Sequence, residues 1–132
     1  MNPVEPLWLR RAAILAIHAR QLAEHGGLPG IRDEVLLDAA LARPLQVRSH
    51  ESPTPDAARL AASLAWAIFR NHPFIDGNKR TAYVAMRTFL IGNGWDFTAS
   101  LKDRYLMMLA AAAGEIDEPA FVAWAQGNVR SG

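Results

Sequence analysis

The sequence contains no cysteine, which excludes disulfides and any thiolate metal site. No apolar stretch approaches the roughly 20 residues that a membrane-crossing helix needs. Charge at Arg10, Arg11 and Arg20 breaks the N-terminal pattern, so no leader segment is expected. The formal net charge is only +1, which argues against a protein that grips nucleic acid through a broad basic surface. There is no internal repeat, no low-complexity tract and no linker. These absences predict a cytoplasmic protein with neither membrane nor direct nucleic acid as partner. What is present is 132 residues, 51% of them apolar, enough for one cored domain spanning residues 1–132. Arginine far outnumbers lysine and alanine is abundant, which is compositional bias without functional meaning.

The pattern predicts an all-α single domain, a bundle of about six helices. A first helix over 7–25 has Pro6 at its first turn, turns Trp8, Ala12, Leu15, Ala19 and Leu22 inward, and stops at Gly26-Gly27. Asp33 caps a second helix over 34–43, with Val35, Leu36, Ala39 and Ala40 inward, and Pro44 ends it. Residues 44–56 carry three prolines and no helical period, so they read as a loop long enough to be functional, with Gln46, Val47 and Arg48 extended. Asp56 caps a third helix over 57–70, apolar along Leu60, Leu64 and Ile68. A fourth helix runs from Asn78 to Ile91 with Ala82, Met86, Phe89 and Leu90 inward. After an extended Trp95-Asp96-Phe97, Ser100 opens a fifth helix with Leu101, Tyr105, Met108, Leu109 and Ala112 inward. Asp117 opens a sixth over 118–127, with Phe121 and Trp124 inward.

Chemistry concentrates in nine residues, His72-Pro73-Phe74-Ile75-Asp76-Gly77-Asn78-Lys79-Arg80. Pro73 pushes His72 out of helical geometry, so the third helix ends there and the cluster becomes a loop opening the fourth. A helix start carries unpaired N–H groups and partial positive charge, and so holds anions, phosphate above all. Gly77 and Asn78 offer backbone donors. Lys79 brings a point charge and Arg80 a planar fork for phosphate oxygens. Cations at a helix start oppose the macrodipole unless an anion compensates, which argues against a merely solvated basic turn. His72 has the right pKa class for a general base; its structural alternative is a cap on the third helix. Asp76 suits Mg²⁺ bridging to phosphates; its alternative is an N-cap of the fourth helix. Their i, i+4 spacing does not make a zinc pair, because Pro73 removes the helix between them. Together these are parts for phosphoryl or nucleotidyl transfer. Phe74 reads as a core anchor, His18 as a satisfied core residue, His25 and His50 as surface, and Arg32, Arg43 and Arg48 as surface charge, with help to substrate or partner binding as the alternative for each.

This stretch is similar to the signature of the Fic/Doc superfamily, and resembles most the Doc branch, the death-on-curing toxins. Ile14–His18, His25-Gly26-Gly27, Gly30–Asp33, Ala40–Pro44, Phe89-Leu90, Asn93-Gly94 and Ala112–Glu115 extend the likeness along nearly the whole chain. Gly77 is the choice of typical Fic proteins, whereas Lys79 is that of Doc proteins. The resemblance implies that lysine at this place goes with transfer of the terminal phosphate of ATP, and glycine with transfer of AMP. It therefore implies a toxin of a type II toxin–antitoxin module: a kinase using ATP and Mg²⁺ on a threonine or serine hydroxyl, with elongation factor Tu as target and translation as the process stopped. A protein adenylyltransferase is the alternative within the class; a non-catalytic protein that blocks translation by binding is the alternative outside it. No inhibitory helix with Ser/Thr and Glu at the family's spacing is present, so a Phd-like antitoxin acting in trans is implied. In Fic relatives a flap before the motif receives the target by strand addition, and here Gln46–Arg48 is the segment expected to do so.

Overall fold

The computed structural model describes residues 5–132. Its element order is α1 (Arg11–His25), α2 (Glu34–His50), α3 (Ala57–Asn71), α4 (Asn78–Gly92), β1 (Trp95–Phe97), α5 (Leu101–Ala112), α6 (Glu118–Gln126) and β2 (Val129–Ser131). The described residues form an all-α fold with six helices and one small two-stranded sheet. None of these helices is long and apolar enough to cross a membrane.

α3 is the centre because its sequence leaves it no other place. Ala58, Leu60, Ala61, Ala62, Ser63, Leu64, Ala65, Ile68 and Phe69 are all buried, a stripe too wide for one neighbour. α2, α4 and α6 pack around it, and α1 lies on α4. The alanines let the backbones approach; the larger side chains, with Phe74, Met86, Phe89, Leu90 and Phe121, fill the core. Four helix starts follow directly from local chemistry. Asp33, Asp56, Ser100 and Asp117 accept hydrogen bonds from the backbone N–H groups of Leu36, Arg59, Asp103 and Ala120.

Several expectations are corrected. α1 begins at Arg11 rather than at residue 7, so Pro6 lies outside it, and its buried face is Ile14, His18 and Gln21. Polar side chains can sit inward there because they face the motif loop rather than an apolar layer. Pro44 does not end α2, which continues to His50. A proline inside a helix costs about 3 kcal/mol. Continuing helically places Pro44 and Val47 on the same buried stripe as Leu37 and Ala40, and burying such side chains recovers about 1.5–3 kcal/mol each. Gln46, Val47 and Arg48 are therefore helical, with Val47 only 2% exposed, and present no strand edge to a target. The true irregular piece is residues 51–56. It is tied down where Arg59 donates from Nη2 to Glu51 at 2.7 Å; that guanidinium holds the Glu51 carboxyl below its ordinary range. The strand sits elsewhere: β1 pairs antiparallel with β2, Asp96 opposite Arg130. α5 buries only Ala111 of its residues. Leu101, Tyr105 and Leu109, expected inward, stand on its exposed side.

Candidate functional site

Residues 72–77 join α3 to α4, and every turn of that path has a local cause. The last turn of α3 closes with the His72 N–H donating to the Ile68 carbonyl at 3.2 Å. His72 itself is left-handed, at φ 50° and ψ 57°, because Pro73 disfavours a further helical residue before it. Phe74 then turns into the core with none of its surface exposed. Gly77 takes φ 76° as the N-cap of α4, a left-handed conformation suited to glycine.

Three devices fix this loop. First, the Asn78 side chain grips the backbone of Phe74 from both sides: Oδ1 accepts from its N–H at 3.0 Å, and Nδ2 donates to its carbonyl at 2.9 Å. Second, His18 stacks on the Phe74 ring with centroids 3.8 Å apart and planes 9° from parallel. Its Nε2 lies 2.8 Å from the Asp76 carbonyl. A carbonyl only accepts, so Nε2 carries the proton. Third, the segment after α1 runs antiparallel beside the loop. Ile31 pairs with Phe74, and the Ile75 N–H donates to the Gly30 carbonyl at 3.1 Å. The Arg32 and Asp33 N–H groups share the Pro73 carbonyl at 2.7 and 3.1 Å.

Asn78→Ala would leave the buried N–H and C=O of Phe74 without partners. The expected result is a loss of about 1–3 kcal/mol in unfolding free energy, read by denaturant titration. A cost within a few tenths of a kcal/mol would mean the clamp is redundant.

The structure brings most of the sequence-designated residues to one place. His72, Asp76, Gly77, Asn78, Lys79 and Arg80 all line a groove of about 710 Å³. His72, Asp76, Lys79 and Arg80 have exposed side chains; Asn78 is only 8% exposed. Asn78 thus contributes its backbone to the groove while its side chain serves the loop. α4 has no side-chain cap and no acidic residue in its first turn. The first helical bond runs from the Thr81 N–H to the Gly77 carbonyl, so the N–H groups of Asn78, Lys79 and Arg80 remain for a ligand. Lys79 and Arg80 take part in no ion pair among the described residues. Asp76 is not the N-cap. Its Oδ1 accepts from the Gly77 N–H at 3.1 Å and its Oδ2 from the Leu28 N–H at 3.2 Å, and the side chain is exposed. Gln46, Val47 and Arg48 are not part of this groove. Arg48 lines a separate cavity of about 310 Å³ with Asn93 and Trp95.

Sequence reasoning missed the far wall. It comes from α5 and the outer face of α4: Tyr83, Leu101, Arg104, Tyr105, Met108 and Leu109. The Arg104 guanidinium lies 4.8 Å over the Tyr83 ring and donates to the Ala99 carbonyl at 2.9 Å. Burial pushes the Tyr83 phenol up, with Arg104 and Arg87 pulling against it. Its hydroxyl is buried without a hydrogen-bond partner among the described residues. The signal for this wall was the apolar spacing of residues 101–109, but that spacing reads equally as core. A basic helix start, a nearby imidazole and an exposed carboxylate facing one groove can bind a polyphosphate and take a proton from an incoming hydroxyl.

Known proteins with the same sequence pattern exist. A family model described as Fic/DOC family matches residues 8–90, which includes the whole motif and both segments that brace it. Over 105 residues the chain is 34% identical to "Protein kinase doc" of Escherichia phage P1, covering 78% of this chain and 80% of that protein. Over 74 residues it is 45% identical to "Toxin Doc" of Mycolicibacterium smegmatis (strain ATCC 700084 / mc(2)155). That match spans 56% of this chain and 57% of the relative's own length. The likeness thus runs from α1 through the helix that the motif opens, and on that ground the chain belongs to the Fic/DOC family.

Proposed function

We propose that this protein is the toxin of a toxin–antitoxin module and acts as a kinase, moving the γ-phosphate of ATP to a serine or threonine hydroxyl of a target protein. The observation that carries this reading is the start of α4, which has no side-chain cap and opens, with Lys79 and Arg80 in no ion pair among the described residues, into the same groove as His72. The names of the two relatives add a toxin and a protein kinase to the comparison. The target proposed is elongation factor Tu, with arrest of translation as the consequence; this part rests on the resemblance to Doc proteins.

The phosphates lie on the N–H groups of Asn78, Lys79 and Arg80, where the helix dipole and two cations favour negative charge. Arg80 forks two phosphate oxygens, and Lys79 neutralises charge on the group in transit. His72 takes the proton of the target hydroxyl as its oxygen bonds to the γ-phosphorus. The bond from that phosphorus to the β,γ-bridging oxygen breaks, and ADP leaves. Preorganised donors at the helix start give most of the stabilisation, because they need not rearrange as charge moves.

The donor set at Asp76 fits Mg²⁺. The described residues contain no cluster of three or more His, Cys, Asp or Glu side chains able to hold a metal, and Mg²⁺ is typically held by one or two carboxylates, substrate phosphates and water. Asp76 would hold it. When bound, the ion supplies further neutralisation of phosphate charge. Gly27 leaves room for this carboxylate: at φ 125°, a Cβ there would lie 3.1 Å from Asp76 Oδ2 and 2.9 Å from Leu22 Cδ2. Gly27→Ala is therefore expected to lower stability by about 1–3 kcal/mol and raise the Mg²⁺ concentration needed for half-maximal transfer. Thermal melts and a Mg²⁺ titration check this; an unchanged titration would separate Gly27 from the site.

An antitoxin is the second partner proposed. α5 turns Leu101, Tyr105 and Leu109 outward at i, i+4, i+8 beside the groove, and such a face suits an amphipathic helix folding on contact. The test of the function is direct: incubate the protein with ATP, Mg²⁺ and cell extract, and follow intact masses. One protein should gain a single phosphate. Nucleotide binding without any mass gain would favour a non-catalytic binder.

A further inference from the structure

We infer that Arg32 is a positioning residue for His72: its guanidinium holds the end of α3 in the left-handed turn that presents the imidazole to the groove. Three consecutive carbonyls accept from this one residue. Arg32 Nη2 donates to Asn71 O at 2.7 Å and Nε to His72 O at 2.6 Å, while its backbone N–H donates to Pro73 O at 2.7 Å. The Asn71 and His72 carbonyls belong to the last turn of α3, where carbonyls have no partner within the helix and carry partial negative charge. A planar cation with two parallel N–H groups satisfies both at once.

His72 needs such a hold. Among the described residues it is the one non-glycine with positive φ, and a left-handed residue with a Cβ costs about 1–2 kcal/mol. Its side chain is exposed and makes no hydrogen bond among the described residues, so the backbone aims the ring. Arg32 also stands directly before Asp33, the cap of α2, whose own N–H meets the Pro73 carbonyl at 3.1 Å. The fork therefore couples the start of a rigid helix to the residue that does the chemistry. Lysine would keep the charge but offer no planar fork.

This rests on His72 being the base. The test uses the full chain with Arg32→Ala, Arg32→Lys and, in parallel, His72→Asn. Far-UV circular dichroism, the thermal midpoint, kcat and the KM for ATP are measured for each. Both Arg32 variants should fold and keep a KM for ATP close to wild type. Loss of orientation should lower kcat about 10- to 100-fold in Arg32→Ala, with Arg32→Lys recovering only part. Added guanidinium chloride, at concentrations too low to unfold the protein, should raise kcat of Arg32→Ala and leave Arg32→Lys unmoved. Wild-type kcat in folded Arg32→Ala or in Arg32→Lys, with His72→Asn inactive, overturns this inference alone. Should Arg32→Ala fail to fold, the Arg32→Lys turnover decides. An active His72→Asn would instead remove the base itself, and with it the role of Arg32.

Discussion

Replacing His72 with alanine is expected to lower transfer by about 10²–10⁴-fold, the range a positioned general base contributes, while the protein stays folded. The two halves of that expectation come from different atoms. The structural part of His72 is its backbone: the N–H ends α3 on Ile68, and the carbonyl accepts from Arg32. The imidazole lies outside the core, so removing it creates no cavity. His72→Asn is the sharper variant, since asparagine tolerates the left-handed conformation that the position requires. Expression of the wild-type chain should arrest growth and expression of either variant should not. A folded variant that retains wild-type transfer and toxicity would remove base catalysis by this residue.

The second large effect is at Lys79, where activity and stability should move in opposite directions. Lys79 lies in the first turn of α4, where the helix dipole is positive and no acidic side chain compensates. In the free protein its charge is unfavourable by about 0.3–1 kcal/mol. Lys79→Ala should therefore leave the ligand-free protein as stable as wild type or slightly more so. Transfer should fall well over tenfold, because the ammonium is lost from the charge that develops in phosphoryl transfer. A stabilised but disabled variant is the mark of a residue held for function. A destabilised variant, or one with unchanged transfer, would show that the lysine does something else.

What the sequence disclosed follows the range of the forces involved. The caps at Asp33, Asp56, Ser100 and Asp117 involve contacts within three residues, and each was readable. So was the α3 stripe, because a helix apolar on most sides must be central. The motif loop was legible from Pro73, which keeps His72 out of helical geometry and so ends α3 there. Its bracing was not. His18 lies 58 residues from the Asp76 carbonyl it touches, and Arg32 lies 40 from His72; nothing local links them. His18 read as a satisfied core residue, and it is buried, but its stacking on Phe74 gives it a place in the site's architecture.

The misplaced segments have one cause. Propensity marks Pro44 as a stop, but the burial of Val47 further along decides where α2 ends. Apolar spacing marks α5 as a core helix, yet α3 is already covered by α2, α4 and α6. The leftover face of α5 becomes a wall of the groove. β2 was invisible because Val129-Arg130-Ser131 has no strand pattern until β1 is beside it.

The most direct measurement supplies ATP labelled on the γ-phosphate and, in a parallel reaction, ATP labelled on the α-phosphate, to the purified protein and its target. With Lys79 at the start of α4, the nucleotide should bind with its γ-phosphate toward the hydroxyl held by His72. The target should then take up the γ-label, gain the mass of one phosphate, and show no α-label. Uptake of the α-label with a mass gain equal to AMP would contradict the kinase assignment.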